Sequence, residues 1–234
     1  MAAQTRSASG RTTAQQPSAS LGSPSTDDQG VPVTAAAWDQ WNAGAPPRFP
    51  HEHVVRFVRE GFSTPVAPGT RALDLGCGTG ADTRYLMECG FDVTAVDRSP
   101  AAIASTQELT AGLPGTLDVQ TTPLAEFAFP SRAMSCVICV GLLDAVGRDE
   151  ARRAVPRLVD SLRPGGRALL VLAAEGDSRV NASPELGLHG YTRREVEALV
   201  ILEYGTGVWI DSCTTTIQSD ARRQIDWLVT LVKR

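Results

Sequence analysis

The stretch that decides the fold is Leu73-Asp74-Leu75-Gly76-Cys77-Gly78-Thr79-Gly80, followed by Asp97 at the end of Phe91-Asp92-Val93-Thr94-Ala95-Val96-Asp97. The residues before Gly76 are mostly apolar, which is typical of a buried parallel strand. Three glycines then allow a tight turn and the close approach of a ligand to the backbone. The succession of strand, glycine turn, helix and second strand predicts the front half of a nucleotide-type pocket on an α/β sheet.

Asp97 is expected at the carboxyl end of the second strand, beside the glycine turn. A carboxylate in that position can accept hydrogen bonds from both hydroxyls of a ribose. The helix between the two strands, from about residue 81 to residue 90, directs its N-terminal amides at the same place. The sequence therefore predicts a ligand that contains a ribose.

Three interpretations of the glycine turn compete. It is a tight turn without a ligand, a site for a nicotinamide dinucleotide, or a site for S-adenosylmethionine. Gly76, Gly78 and Ala81 satisfy the dinucleotide pattern, so that pattern alone does not exclude the second interpretation. Asp74 favours the third, because an anion there is a poor neighbour for a pyrophosphate and a good one for an ammonium or a sulfonium.

This stretch resembles the class I S-adenosylmethionine-dependent methyltransferases. The resemblance continues to about residue 174, through a helix, the turn Arg163-Pro164-Gly165-Gly166 and an apolar strand. It implies an α/β fold with a doubly wound, Rossmann-like sheet of seven strands. The last two strands, at about 208–217 and 225–232, would form an antiparallel C-terminal hairpin, and an N-terminal helical lid would cover the cofactor.

The resemblance also implies a set of cofactor-binding residues. Members of the family usually carry an acid after the third strand, but this chain has Thr121-Thr122-Pro123-Leu124 there, so a threonine and a leucine would take over the contact with adenine. The lid would contribute a tryptophan and an arginine, and the fourth strand would end near the transferred methyl group. The expected cofactor-binding residues are Asp74, Gly76, Cys77, Gly78, Gly80, Asp97, Arg98, Thr122, Leu124, Val140, Trp41 and Arg48.

The candidate catalytic residues are the groups able to remove a proton near the expected pocket. A hydroxyl nucleophile needs a base close by, and an amine has to be neutral before it attacks. The candidates are Asp144, His51, His53 and His189. Asp144 follows the fourth strand and has the best expected position, although it could instead cap the next helix segment.

The composition of the chain limits which classes of partner and which cellular compartment we expect. The chain has 234 residues, 42% of them hydrophobic, and a formal net charge of −4, which argues against nucleic acid as the main partner. The sequence has no apolar segment of membrane-spanning length and no secretory signal, so we expect neither a membrane partner nor export. The odd number of cysteines fits a reducing cytoplasm. Oligomeric state is not predicted.

The cysteines and the N-terminal segment complete this picture. Cys136 and Cys139 form a C-x-x-C pattern, but alternation along a strand places them on opposite faces, so we predict buried side chains and no metal site. Residues 1–33 are polar and are predicted to be a disordered tail. Residues 34–234 would form the methyltransferase domain, with its lid at about 34–62.

The predicted function is S-adenosylmethionine-dependent methyl transfer to an oxygen or a nitrogen of a small molecule. Lys233 is the single lysine among 22 basic residues, which suggests a high-GC genome and a setting in natural-product or secondary metabolism. Two alternatives are a nicotinamide-dependent oxidoreductase and a catalytically inactive S-adenosylmethionine-binding protein.

Overall fold

The computed structural model describes residues 35–44, 48–182, 184–200, 206–216 and 223–234. The predicted tail at residues 1–33 lies outside these residues. The strands are β1 (Arg71–Leu75), β2 (Asp92–Asp97), β3 (Leu117–Thr121), β4 (Met134–Val140), β5 (Leu162–Ala173), β6 (Thr206–Thr216) and β7 (Arg223–Lys233). The helices are α1 (Ala35–Asn42), α2 (Glu52–Gly61), α3 (Ala81–Glu88), α4 (Pro100–Thr110), α5 (Arg148–Ser161), α6 (Arg179–Ala182) and α7 (Arg193–Val200), with a 3-10 turn at Pro184–Leu186.

The strands form one sheet in the order β3-β2-β1-β4-β5-β7-β6. The first five strands are mutually parallel, and β7 runs antiparallel between β5 and β6. The chain starts at the middle of the sheet, moves to one edge and then returns to the other side of β1. This reversal opens a crevice at the carboxyl ends of β1 and β4. The predicted doubly wound sheet with a closing antiparallel hairpin is confirmed.

Strand β4 shows why the sheet is covered on both faces. Cys136 packs into a core on one face with residues of α2 and α3, and Cys139 packs into the larger core on the other face with residues of α5 and α7. Both thiols are buried, as alternation along the strand predicted. A strand that is buried on both faces is mostly apolar, and Met134–Val140 is apolar apart from Ser135, whose hydroxyl accepts a hydrogen bond from Arg163 Nε at 2.8 Å.

Local capping signals in the sequence start two of the helices. The Ser99 hydroxyl accepts a hydrogen bond from the Ala102 amide at 3.1 Å, which makes Ser99 the N-cap of α4. At the start of α7, the Thr192 amide donates to the Glu195 carboxylate at 2.8 Å, and the Glu195 amide donates to the Thr192 hydroxyl at 3.3 Å. This reciprocal pair is a capping box.

One local prediction was wrong. The Arg163-Pro164-Gly165-Gly166 segment, expected as a turn before the strand, lies within β5, where the pairing with β4 shifts between Met134 and Cys136. Gly165 has a φ of 75°, and this left-handed backbone lets the additional residues bulge out of the ladder. The segment from 175 to 190 contains α6 and the 3-10 turn.

Within the residues that the structure describes, no helix combines the length and the apolar character needed to cross a membrane.

Candidate active site

The glycine loop after β1 is packed so tightly that two of its glycines have no room for a side chain. A Cβ on Gly80 would lie 2.7 Å from Thr106 Cα, and one on Gly76 would lie 2.9 Å from Leu142 Cβ. At Gly78 the nearest atom to a Cβ would be Asn42 Oδ1, at 3.7 Å. Gly76 and Gly80 therefore hold the loop against its neighbours, whereas Gly78 presents bare backbone to the space in front of it.

Asp97 joins the loop to the end of β2. Its Oδ2 accepts a hydrogen bond from the Gly78 amide at 3.0 Å, and its Oδ1 accepts one from the Ser99 amide at 2.9 Å. Burial raises the pKa of this carboxyl above its usual range, and the hydrogen bonds from Ser99 and Gly78 oppose that rise. Each carboxylate oxygen retains a lone pair, so Asp97 can still accept hydrogen bonds from a ligand.

A cleft of about 340 Å³ opens in front of the loop. This volume falls in the range of small-molecule sites, about 300–1,000 Å³. One wall consists of loop and strand-end residues: Gly76, Gly78, Asp97, Arg98, Val140 and Gly141. The facing wall comes from α1 and from the region around the 3-10 turn: Trp38, Trp41, Asn42, Ala182, Leu186 and Leu188. The remaining lining comes from the segment after β4 and from α6: Leu142, Asp144, Ala145, Val146 and Arg179.

Helix α1 is held over this cleft by a hydrogen-bonded carboxylate. Asp39 Oδ1 accepts from the Ser99 hydroxyl at 2.6 Å and from the Ala101 amide at 3.0 Å. Trp38 and Trp41 contact each other edge to face, with ring centroids 6.0 Å apart. Both tryptophans line the cleft, so the helix contributes an aromatic surface to it rather than capping an edge of the sheet.

Asp144 lines the cleft from the segment after β4 and is only 3% exposed. Its Oδ2 accepts from the Ala173 amide at 3.1 Å, whereas its Oδ1 is buried without a hydrogen-bond partner. Burial raises the pKa of this carboxyl to about 6. Asp144 is not the N-cap of α5, because Gly147 occupies that position.

Next to Asp144 lies an ionic cluster that sequence reasoning missed. The Arg179 guanidinium donates to Asp177, with an Nη2–Oδ2 distance of 2.7 Å, and also to Asp226. Asp177 in turn accepts from the Ile225 amide at 2.7 Å, which ties the end of the cleft to β7. Arg179 and Asp226 are 47 residues apart in the chain, so no local pattern could have paired them.

The chain matches the family described as "Methyltransferase domain" over residues 72–166. This segment runs from β1 into β5 and carries the glycine loop, Asp97 and Asp144. Residues 72–166 thus form a methyltransferase domain.

Several curated relatives of this domain carry methyltransferase names. A malonyl-[acyl-carrier protein] O-methyltransferase of Pectobacterium atrosepticum is 36% identical over 116 residues, which cover 48% of this chain and 42% of that protein. An uncharacterized methyltransferase of Mycobacterium bovis is 36% identical over 121 residues, which cover 52% of this chain and 46% of that protein. The chain thus spans less than half the length of these relatives.

Among solved structures, the N-methyltransferase NodS from Bradyrhizobium japonicum in complex with S-adenosylhomocysteine has the same fold. Its TM-score is 0.65 at 16% sequence identity, and the match covers 85% of this chain and 98% of that chain.

The lining of the cleft fits S-adenosylmethionine. Gly78 offers bare backbone, and Asp97 offers acceptor oxygens for ribose hydroxyls. The sequence prediction had selected Gly76, Gly78, Asp97, Arg98, Val140 and Trp41, and the structure brings these six together around the cleft.

Other predicted cofactor residues lie outside the cleft lining. Asp74 is buried beneath the loop, where its Oδ2 accepts from the Thr83 hydroxyl at 2.6 Å, and burial raises its pKa to about 8. Leu124 packs into the core under β4, and the Thr122 amide donates to the Asp97 carbonyl at 2.9 Å. Their roles in cofactor binding remain predictions.

Three further predicted cofactor residues are placed elsewhere. Cys77 is buried, with its thiol 3.6 Å from the Thr106 hydroxyl, and Gly80 packs against the same residue. Arg48 is exposed at the surface. No contact of these residues with the cleft is seen, and their predicted roles stay untested.

The three candidate histidines do not line the cleft. His51 caps α2, with its Nδ1 accepting from the His53 amide at 3.4 Å, and its own amide donates to Asp82 at 2.7 Å. His53 lines a separate pocket with Arg56 and Arg167. The His189 amide donates to the Asp144 carbonyl at 2.9 Å. Of the four candidate bases, the structure brings only Asp144 into the cleft.

Proposed function

We propose that this chain transfers a methyl group from S-adenosylmethionine to an oxygen or a nitrogen of a small molecule. The observation that carries the proposal is that one cleft is lined by the glycine loop, by Asp97 and by Asp144, whose Oδ1 is buried without a partner. The O-methyltransferase name of the Pectobacterium relative supports the same class of reaction.

The loop end would hold the cofactor. Asp97 would accept hydrogen bonds from the ribose, and the backbone at Gly78 would let the ligand approach without a side chain in the way. Arg98 and Val140 would line the same end. When bound, the cofactor supplies an electrophilic methyl group on a positively charged sulfur that leaves as a neutral thioether.

Asp144 would act on the substrate. A carboxyl with a pKa of about 6 is mostly ionised at neutral pH, so Asp144 would accept a proton from a hydroxyl or an amine that reached its buried Oδ1. The hydrogen bond from the Ala173 amide to Oδ2 fixes the orientation of the carboxylate. This arrangement lets Asp144 orient the nucleophile and take up its proton.

The walls of the cleft would keep water away from the reacting groups. Apolar residues line the same cleft as Asp144: Leu142, Leu186, Leu188 and the tryptophans of α1. Exclusion of water strengthens the hydrogen bond between a carboxylate and a substrate donor. An apolar cleft of this size suits a small molecule better than a folded macromolecule.

The setting of the reaction is part of the proposal. We infer a cytoplasmic enzyme of natural-product or secondary metabolism that needs neither nucleic acid nor a membrane as partner. Cys77, Cys89, Cys136 and Cys139 are buried free thiols, which agrees with a reducing compartment. The scarcity of lysine agrees with a high-GC source.

The test is a calorimetric titration with S-adenosylhomocysteine, NAD and NADP in parallel. The proposal expects micromolar binding of S-adenosylhomocysteine alone; a preference for a dinucleotide would refute it in favour of an oxidoreductase.

A second assay incubates the protein with S-adenosylmethionine and a panel of hydroxyl and amine acceptors, with products detected by mass spectrometry. Cofactor binding without any methylated product would point to the inactive alternative.

A further inference from the structure

A second cavity, of about 200 Å³, lies between α2 and the strands β5, β7 and β6. No described residue lines both this cavity and the cleft. Its volume is below the range of about 300–1,000 Å³ that holds drug-sized ligands, so it suits a small group. The proposed methyl transfer does not use this cavity, and its polar side chains therefore call for another role.

Sheet pairing forms the floor of the cavity. Thr230 of β7 pairs with Leu169 of β5 on one side and with Trp209 of β6 on the other, which brings these three side chains to one face of the sheet. Arg167 lies two positions before Leu169, so its side chain leaves the strand on the same face. Helix α2 covers part of this face and contributes the exposed Arg56 to the cavity.

Arg167 is a half-buried cation that has no acidic partner among the described residues. Its guanidinium carbon lies 5.6 Å from the centre of the Phe57 ring, and a Cβ on Gly61 would lie 2.6 Å from its Nη1, so the glycine leaves room for this side chain against α2. Its Nε is buried without a hydrogen-bond partner, and its Nη atoms form no hydrogen bond with the part of the chain that the structure describes. The Nη atoms are not fully buried, so they are the donors that a ligand in the cavity would reach.

Stacking on Phe57 does not by itself account for Arg167. A guanidinium over a ring uses its face, whereas its N–H groups lie in its plane and still need acceptors. A polar group that is removed from water without a partner costs free energy. Arg148, which is also partly buried, has an anionic partner in Glu195. Arg167 lines a cavity in which a ligand could supply the missing anion.

The remaining polar groups of the cavity are mostly donors. Arg56 Nη2 is 3.3 Å from His53 Nδ1, and burial lowers the pKa of His53, so the neutral ring accepts this hydrogen bond. The other N–H groups of Arg56, the Thr230 hydroxyl and the Trp209 indole N–H can all donate to a ligand. Glu60 is the one carboxylate among the described lining residues. Two guanidinium groups thus stand against one carboxylate, which leaves the cavity with a net positive charge.

We propose that this cavity is a second ligand site, which binds the phosphate group of a small organic molecule between Arg56 and Arg167. The donors come from α2, β5, β6 and β7 and approach from several directions, which suits the three terminal oxygens of a phosphate better than the two oxygens of a carboxylate. Trp209, which is 59% exposed, would support a ring attached to the phosphate. The inference does not depend on the proposed function.

The test is calorimetry at pH 7.5, where a phosphate monoester carries close to two negative charges. The probes are phenyl phosphate, benzoate and inorganic phosphate. We expect phenyl phosphate to bind with a dissociation constant below about 1 mM, and at least about fivefold more tightly than either of the other probes. Saturation with S-adenosylhomocysteine should leave this affinity unchanged, because no described residue lines both the cleft and the cavity.

Variants of α2 locate the site with little risk to folding, because the side chains that they change are exposed. Arg56→Gln should weaken the binding of phenyl phosphate at least about fivefold, and Glu60→Gln should tighten it about threefold by removing a repulsive charge. The control Arg59→Gln removes a positive charge from the same helix outside the described lining of the cavity, and it should change the affinity less than about twofold. Arg167→Met should abolish binding, and its Tm shows whether it folds.

The outcomes decide the inference without reference to methyl transfer. Binding of phenyl phosphate that depends on Arg56 and not on Arg59 would support it. It is overturned if phenyl phosphate does not bind, if benzoate or inorganic phosphate binds equally well, if S-adenosylhomocysteine competes, or if Arg56→Gln and Arg59→Gln have equal affinities. If Arg167→Met does not fold, the variants of α2 still decide. Failure of S-adenosylhomocysteine to bind would refute the proposed function alone.

Discussion

Asp39 accepts a hydrogen bond from the Ser99 hydroxyl at 2.6 Å across 60 residues of sequence. Ser99 is the N-cap of α4, and the residue two positions before it is Asp97. The hydrogen bond from Ser99, followed by that from the Ala101 amide, lowers the pKa of the Asp39 carboxyl. Asp39 therefore places a negative charge at the N-terminus of α4, where the helix dipole favours it, and it holds α1 over the cleft.

Replacement of Asp39 by alanine should release α1 from the cleft. We expect the dissociation constant of S-adenosylhomocysteine to rise about tenfold, because the tryptophan wall is no longer held in place. The Tm should change little, since Asp39 lies outside the hydrophobic core. Calorimetry and thermal unfolding measure the two effects. The control is Asp149→Ala, which removes an exposed carboxylate from the first turn of α5, and an affinity equal to that of this control would contradict the role given to Asp39.

Replacement of Asp97 by alanine should abolish ribose recognition. Loss of hydrogen bonds from a carboxylate to two hydroxyls is expected to weaken S-adenosylhomocysteine binding about a hundredfold. Asp92 is the matched control, because it lies at the opposite end of the same strand and its carboxylate likewise accepts a backbone amide, that of Thr116 at 3.2 Å. If Asp97→Ala and Asp92→Ala bind the ligand equally well, the cofactor pocket has been misplaced.

Gly80→Ala should destabilise the protein through steric conflict as well as backbone strain. Gly80 and Gly112 have similar φ values, 87° and 79°, but a Cβ on Gly112 meets nothing within 4 Å whereas one on Gly80 would lie 2.7 Å from Thr106 Cα. A residue with a Cβ at a positive φ lowers the free energy of unfolding by about 1–2 kcal/mol through backbone strain. Forcing a Cβ into a packed position lowers it by about 1–3 kcal/mol more. Urea denaturation should thus show a larger loss for Gly80→Ala than for Gly112→Ala, and equal losses would argue against the tight packing of the loop.

Asp74 should make the protein less stable as the pH rises. Its pKa is raised from 3.8 to about 8 by burial, with a further contribution from Asp82. Between these two values the folded state holds a proton that the unfolded state has released, so an increase in pH favours unfolding. The slope for one group is at most about 1.4 kcal/mol per pH unit.

The variant Asp74→Asn keeps the size of the side chain and removes this titration. Urea denaturation of both proteins at pH 5, 6, 7 and 8 should show that the stability of the wild type falls relative to that of the variant across this range. Asp82 also titrates within it, at about 6, but it is present in both proteins. If the free energies of unfolding of the wild type and the variant change with pH in parallel, Asp74 is ionised in the folded state.

The parts of the fold that the sequence predicted are those with local causes. The strand before Gly76, the cap at Ser99 and the capping box of Thr192 and Glu195 depend on residues within a few positions of each other. The loop end of the cleft is equally local, because Gly78 and Asp97 belong to one strand–helix–strand unit. For this reason the sequence anticipated that Gly76, Gly78, Asp97 and Arg98 line the cleft.

The part of the cleft lined by Asp144 and Arg179 depends on contacts between segments that are distant in the sequence. Nothing near Arg179 in the sequence signals that Asp226 would accept from it, since β7 reaches that place only through sheet pairing. His53 and Leu124 were predicted near the active site from their positions after recognisable segments, but His53 belongs to another pocket and Leu124 to the core. The direction of a side chain within a loop or a short helix follows from packing that a sequence pattern does not encode.

The position of β7 has a consequence for biosynthesis. Strand β5 pairs with β7 through Arg167↔Val232 to Ala173↔Asp226, so its outer edge stays unpaired until residues about 60 positions later have left the ribosome. The nascent chain meanwhile exposes an apolar strand edge, a feature that promotes association with other chains. The loop half of the cleft can assemble before that moment, whereas the half around Arg179 has to wait for the strand that carries Asp226.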